Sequence, residues 1–256
     1  MRIERRLGYF TMDNAANNDK ALTCISDYCS ELGIQFNAKE RRIRCFGHVL
    51  NLTVKAFLWG ENTNTIETTE ALDDVDMELE RLREWRKRGP LGKLYNCIRY
   101  TMKTPQRREK FEEPCRTYLP EGQVLSLIIG NATRWNGDHD AIVRALVLRE
   151  PLEDYMAFVI RMEGKASGET SIANDILSGE DWQELRFMVE ALAPFKKWTL
   201  LLERNGDAAQ LSDILPAFDD LLTHLEEVRV FHTHSDGSPS THIVNSPNAA
   251  WAILNK

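Results

Sequence analysis

The sequence predicts a short mixed α/β portion followed by a predominantly helical one, and three observations carry that reading. Strand-like apolar runs cluster before residue 60, helical spacing of apolar residues dominates afterwards, and the charge pattern changes at the same point. The 256 residues are 43% hydrophobic and 28% charged, ordinary globular usage that excludes collagen-like, low-complexity and largely disordered chains. No apolar run approaches the roughly 18 to 20 residues needed to span a bilayer, and MRIERRLGYF lacks a signal core, which argues against membrane insertion and secretion. Five thinly spread cysteines, Cys24, Cys29, Cys45, Cys97 and Cys115, argue against a disulfide scaffold and fit a reducing, intracellular setting.

Taken in order, Leu7 to Met12 reads as a buried strand stopping at Asp13 and the polar cluster DNAANND. A cap at Asn18 or Asp19 then starts a helix, with Leu22, Ile25, Cys29 and Leu32 at helical spacing until Gly33 closes it. Ile34 to Phe36 and Ile43 to Phe46 read as short strands around a basic turn, and Val49 to Trp59 as an apolar helix ended by Gly60. Further helices are expected over Ile66 to Trp85, Pro90 to Thr101, Asp138 to Arg149, Leu152 to Met162, Asp181 to Glu203 and Ala208 to Val230. The apolar run Val124 to Ile129 suits either a strand or a buried helix. Gly164 to Gly179 reads as an exposed loop, and His232 to Pro247, rich in Ser, His, Thr and Pro, as a connection without regular structure.

The net charge of -7 hides an uneven distribution. Residues 61 to 80 carry eight acids and no base, whereas residues 81 to 110 carry eleven bases against Glu84 and Glu109 alone. Such a local excess is the pattern expected where a polyanion is met; a solvated helical face balanced by the preceding acids is the alternative. Arg86, Lys87, Arg88, Lys93, Arg107 and Arg108 are the candidates for holding a phosphate backbone.

Other residues suit particular chemistry. A carboxylate at a strand end, as at Asp13, can hold a hard cation such as Mg²⁺, although two-ion phosphoryl chemistry needs at least two further converging carboxylates, and an Asp after a strand also serves as a turn residue. Cys45 and His48 stand three residues apart at the entrance to a helix, a spacing that can share a metal or bring His48 near an active site. No second Cys/His pair at zinc-finger spacing follows, so a hydrogen-bonded structural histidine is the simpler alternative. Arg134 and Trp135 pair a guanidinium that can fork onto phosphate with an indole that can stack on an unpaired base; a core tryptophan beside a surface arginine is the other reading. No Walker loop, dinucleotide fingerprint, serine elbow or HExxH helix appears, which removes the usual support for nucleotide hydrolases, dehydrogenases, esterases and zincins.

Four blocks in this order resemble the hAT superfamily of DNA transposases, in particular its fungal-type branch. They are GYFTMDNAANNDKAL at 8 to 22, RRIRCFGHVLNLTVKAFLWG at 41 to 60, WRKRGPLGKLYNCIRYTMKTPQRREKF at 85 to 111 and NATRWNGDHDAIVRALVLREPLE at 131 to 153. Weaker similarity runs through LAPFKKWTLLLE and LPAFDDLLTHLEE. The resemblance implies a partial ribonuclease-H-like catalytic core over 1–60, a helical insertion domain over 61–230 containing the basic block 81–110, and the start of a C-terminal region over 231–256. It places Asp13 on the second of three metal-binding acids, Cys45 and His48 on a Cys-x-x-His motif near the active site, and Arg134 and Trp135 on an Arg-Trp motif linked to the DNA hairpin at excision. It further implies Mg²⁺ or Mn²⁺ as cofactor, DNA as partner, homo-oligomers in the intact family, a nuclear location and no membrane. The other two acids of the family and its zinc finger have no counterpart in this sequence. The expectation is therefore a transposase-derived, catalytically incomplete chain. A DNA-binding remnant is the second reading, and a protein-interaction remnant using the apolar stripes Leu192 to Leu202 and Leu211 to Leu225 is the third.

Overall fold

The computed structural model describes residues 3–60, 75–130, 135–163, 168, 171–202, 211–233 and 241–255. Strand β1 (Phe10–Met12) pairs in parallel with β2 (Arg42–Arg44), with Met12 opposite Arg44. Helix α1 (Ala16–Glu31) forms the crossover that a parallel pair requires. It begins ahead of the Asn18 or Asp19 cap that the sequence suggests, because the Asp13 carboxylate organises the turn instead. Gly33, at a positive φ of 68°, ends the helix region in a conformation that L side chains rarely adopt. This unit has a small core of its own: Leu22, Cys29 and Phe36 are buried, with Phe10, Met12, Ile25 and Ile34 packed around them. Its strand is thus only partly buried, with Thr11 exposed between half-buried Phe10 and Met12.

Helix α2 (Phe46–Trp59) follows β2 after a single residue. It is apolar almost all round, as a helix enclosed by others must be, and Leu50, Val54, Phe57 and Leu58 are fully buried. Its neighbours are α8 (Gly179–Leu202), and α10 (Thr241–Leu254), which in turn packs on α9 (Ile214–Thr233). Phe46 meets Phe218 of α9 at a ring separation of 4.7 Å. Between these lie α3 (Val75–Arg86), α4 (Gly89–Met102), α5 (Pro105–Tyr118), α6 (Trp135–Val147) and α7 (Arg149–Glu163). α5 packs on α4 and α7, and α6 on α8. One continuous apolar cluster runs through all of them, from Phe46 to Leu254. The division in packing therefore falls between Cys45 and Phe46, whereas the change in sequence character falls after Gly60.

Two glycines permit the closest approaches. A Cβ on Gly92 would lie 1.7 Å from the Trp85 carbonyl oxygen, so α4 can fold back against the end of α3 only without a side chain there. A Cβ on Gly130 would fall 1.9 Å from the Tyr95 hydroxyl. Around this point Trp85 stacks on Tyr95 at 4.7 Å, and both meet Trp59 edge-on.

The chain is mainly helical, with one two-stranded parallel pair among the described residues. Several sequence expectations need correction. Ile34 to Phe36 forms no strand; Phe36 instead turns into the small core, and the Ile34 N–H donates to the Cys29 carbonyl. Val124 to Ile129 is neither strand nor helix but an irregular segment that buries Leu127 and exposes Val124 and Ile129. The region His232 to Pro247 is not simply a connection, since His232 and Thr233 complete α9 and Thr241 onwards forms α10; residues 234–240 lie outside the described residues. α5 lies where no helix was expected. The helix expected from Ile66 is described only from Val75. The stripes of α8 and α9 are covered on their inner faces, with Leu192, Phe195, Leu221 and Leu225 buried, while Leu200 and Leu215 stay exposed.

Candidate functional site

Asp13 directly follows β1, and the Cys45 N–H donates to the Met12 carbonyl at 2.8 Å. This bond continues the parallel ladder and brings the strand end that carries Asp13 beside Cys45. Cys45 is also the N-cap residue of α2: its extended backbone turns its carbonyl onto the N–H groups of His48 and Val49, both at 3.1 Å. Asp13, Cys45 and His48 thus gather at one end of the strand pair. Asp13 is exposed, and Cys45 and His48 are half-buried.

The Asp13 carboxylate is already engaged. Its Oδ1 accepts from the Ala15 N–H at 3.0 Å and from Asn18 Nδ2 at 2.6 Å, an arrangement that fixes the turn into α1. The nearby Asp19 pairs with the Arg42 guanidinium, which also donates to the Asp13 carbonyl at 2.9 Å. Among the described residues no three His, Cys, Asp or Glu side chains converge as a metal would require. These residues do not fit a two-metal centre, and no step through Mg²⁺ or Mn²⁺ follows from them.

The basic block is divided by its partners. Arg86 forks onto Asp175, with Nε to Oδ1 at 2.9 Å and Nη2 to Oδ2 at 2.6 Å, and also reaches the Ser171 carbonyl. Asp175 is 0% exposed and accepts a further bond from Asn96 at 2.8 Å, while its carbonyl takes the Cys97 thiol. Lys93 pairs with Asp181 at 2.8 Å, and Asp181 closes the N-terminus of α8 by reciprocal bonds with Ser178. Arg88 lies over Trp59 and Trp85, at 5.4 and 5.1 Å from the ring centres. Burial pulls its guanidinium below the ordinary value, with Glu84 opposing. Arg107 covers the Tyr100 ring at 3.6 Å and donates to the Tyr100 carbonyl. Lys87 pairs with Glu84 on the surface, and Arg108 is exposed.

Trp135 opens α6 and is 2% exposed, so its ring presents no face to a base in this arrangement. Its backbone N–H donates to Asn51 Oδ1 of α2 at 3.1 Å, and its ring meets His139 edge-on. Arg134 lies outside the described residues. A buried carboxylate missed in the sequence, Asp138, accepts from Tyr95 and from Trp59 Nε1. Asp175 and Asp138 pair with residues of distant helices, and nothing in their local spacing announces this.

No family model matches the chain, and no solved structure matches it. A curated relative, described as "Putative transcriptional regulator tpeD" from Talaromyces stipitatus, is 22% identical over 227 residues. The match covers 88% of this chain but 25% of the relative, so the chain spans about a quarter of the length of the relative it matches. Among the described residues no helix is long and apolar enough to cross a membrane.

Proposed function

We propose that this chain is a transposase-derived protein of the hAT type, carrying part of a ribonuclease-H-like core and its helical insertion, and acting on DNA by binding rather than cleavage. The observation that carries the reading is the Cys45-to-Met12 hydrogen bond, which sets the acid-bearing strand end beside the start of the Cys-x-x-His helix. This is the neighbourhood that the resemblance assigns to the second acid and the Cys-x-x-His pair. The reading without cleavage rests on the same place: among the described residues no two further carboxylates converge on Asp13, whose Oδ1 accepts from its own turn, and the nearby Asp19 is paired with Arg42. The relative's description as a transcriptional regulator is compatible with a DNA partner and a nuclear location.

DNA contact falls to the bases that the fold leaves outward. Arg86 and Lys93 neutralise Asp175 and Asp181, whereas Lys87 and Arg108 are exposed and Arg107 is half-buried at the start of α5. Neutralising about three phosphates gives a slope of log K against log salt near -3 on duplex DNA, with little sequence preference. Titration of the full chain at several salt concentrations measures this, and the triple charge reversal at Lys87, Arg107 and Arg108 is expected to flatten the slope. An unchanged slope would remove the proposed interface. A Mg²⁺-dependent nick that disappears in Asp13→Ala would instead overturn the loss of catalysis.

A further inference from the structure

Three of the nine prolines follow a serine or threonine, at Thr104-Pro105, Ser238-Pro239 and Ser246-Pro247. Only the first has a base three residues after the hydroxyl, Arg107. Thr-Pro-x-Arg is the form of substrate that proline-directed protein kinases accept. Proline brings no N–H that the kinase cleft would have to satisfy, and the later base can pair with an anion on the kinase. Of the other two, Ser246 is 4% exposed within α10, and Ser238 lies outside the described residues.

Thr104 stands in the turn between α4 and α5, where its backbone is extended at φ -129° and ψ 152°, as a residue before proline favours. It is half-buried, whereas Lys103, Pro105, Gln106, Arg108, Glu109 and Lys110 are exposed, and the first buried side chain of α5 is Phe111. Long bonds tie the first turn of α5. The Arg107 N–H donates to Thr104 Oγ1 at 3.3 Å, the Arg108 N–H to the Thr104 carbonyl at 3.2 Å, and the Arg107 guanidinium to the Tyr100 carbonyl at 3.3 Å. A helix end held in this way opens locally while the core stays closed, and the segment can then extend across a kinase cleft. Thr104 also sits among bases, with Lys103 before it and Arg107 and Arg108 after it. A phosphate there adds about 1.5 to 2 negative charges at pH 7.

We propose that Thr104 is a phosphorylation site for a proline-directed kinase and that its phosphate releases the chain from DNA, the second step resting on the DNA-binding reading above. Thr104 Oγ1 attacks the γ-phosphorus of ATP. The new O–P bond forms as the bond to the ADP oxygen breaks, and the hydroxyl proton passes to the base of the kinase. The full folded chain is treated with ATP and such a kinase, and the phosphate is located by mass spectrometry. Thr104 is expected to be modified ahead of Ser238 and Ser246, and Pro105→Ala, still folded by its thermal transition, to slow the reaction about tenfold or more. The modified chain is then titrated on duplex DNA, where the slope of log K against log salt is expected to fall from near -3 to about -1, because the phosphate offsets about two of the bases. Thr104→Asn, which keeps a capping oxygen, is expected to fold and to hold its slope through the same treatment. Absence of phosphate at Thr104 in the folded chain, or a rate unchanged in Pro105→Ala, overturns the site. An equal slope before and after modification, or one that also falls in treated Thr104→Asn, overturns the release. An unmodified chain without salt-dependent binding removes the DNA interface and the release with it, while the phosphate at Thr104 is still decided by mass.

Discussion

The unit that ends at Cys45 and the helical body that begins at Phe46 hold their structure by different means. The first rests on three buried side chains, Leu22, Cys29 and Phe36, beneath two short strands, while the second encloses a continuous apolar cluster crossed by buried charge pairs. Residues suited to chemistry, Asp13 and Cys45, stand on the thinly packed side. Residues suited to binding a polyanion stand on the densely packed side, and the packing has taken several of them for itself. Charge concentration along a chain therefore measures an available interface only after internal partners are subtracted. The two regions can also be followed separately, because all six tryptophans, from Trp59 to Trp251, belong to the body.

The strongest way to break this contrast is Asp175→Ala. It removes the buried carboxylate onto which the Arg86 guanidinium forks and to which the Asn96 amide donates, and a loss of about 3 to 5 kcal/mol is expected, read from the urea transition of tryptophan fluorescence. Replacing both partners by apolar residues, Arg86→Met with Asp175→Leu, is expected to recover much of that loss, since the pair costs desolvation as well as giving attraction. A loss below about 1 kcal/mol in the single variant would make the pair a surface feature.

Leu22→Ala tests the other side. Removing one of three core side chains is expected to cost about 2 to 3 kcal/mol, confined to the small unit. Amide exchange in α1 should accelerate while the tryptophan transition stays in place. If both regions shift together, they fold as one cooperative body and the contrast fails.

The smallest expected effect sharpens the picture within the body. Burial pushes the Asp140 carboxyl up, but hydrogen bonds from His139 and Lys196 outweigh it and hold the group below its ordinary range. A carboxyl depressed on folding contributes stability that is present above its unfolded value, about 3.9, and is lost as pH falls through the folded one. Its side chain is 49% exposed, so solvent screening limits the contribution to less than about 1 kcal/mol. Asp140→Asn is expected to lower stability at neutral pH by less than about 1 kcal/mol, to leave it unchanged at pH below the folded value, and so to flatten the acid limb slightly, as urea melts across pH would show.

How much of this could be read from the sequence depends on the range of the interactions. The strand ending at Asp13 and the glycine that stops α1 are local events, and local spacing gives them away; Cys45 caps α2 through its backbone alone and gives no such signal, so the sequence reads a strand through Phe46 where the helix already begins. α5 escaped notice because PQRREKFEEPCRTY is polar on most sides and buries only Phe111, Pro114 and Cys115, too few to set a visible period. α10 was hidden by the composition around it, with Pro247 inside the helix itself. The Arg86–Asp175 pair joins positions 89 apart, where no window along the chain registers an association.

The packing of α10 along α2 has a consequence for biosynthesis. α2 leaves the ribosome ahead of the other described helices of the body, while one of its principal covers, Thr241–Leu254, is made only after all of them. Until that helix is made, the apolar flank of α2 has to be shielded by provisional contacts or by other proteins that hold nascent chains. A chain interrupted before Thr241 would leave that flank uncovered, which makes an unbroken message through that helix, as much as any single codon, a determinant of solubility.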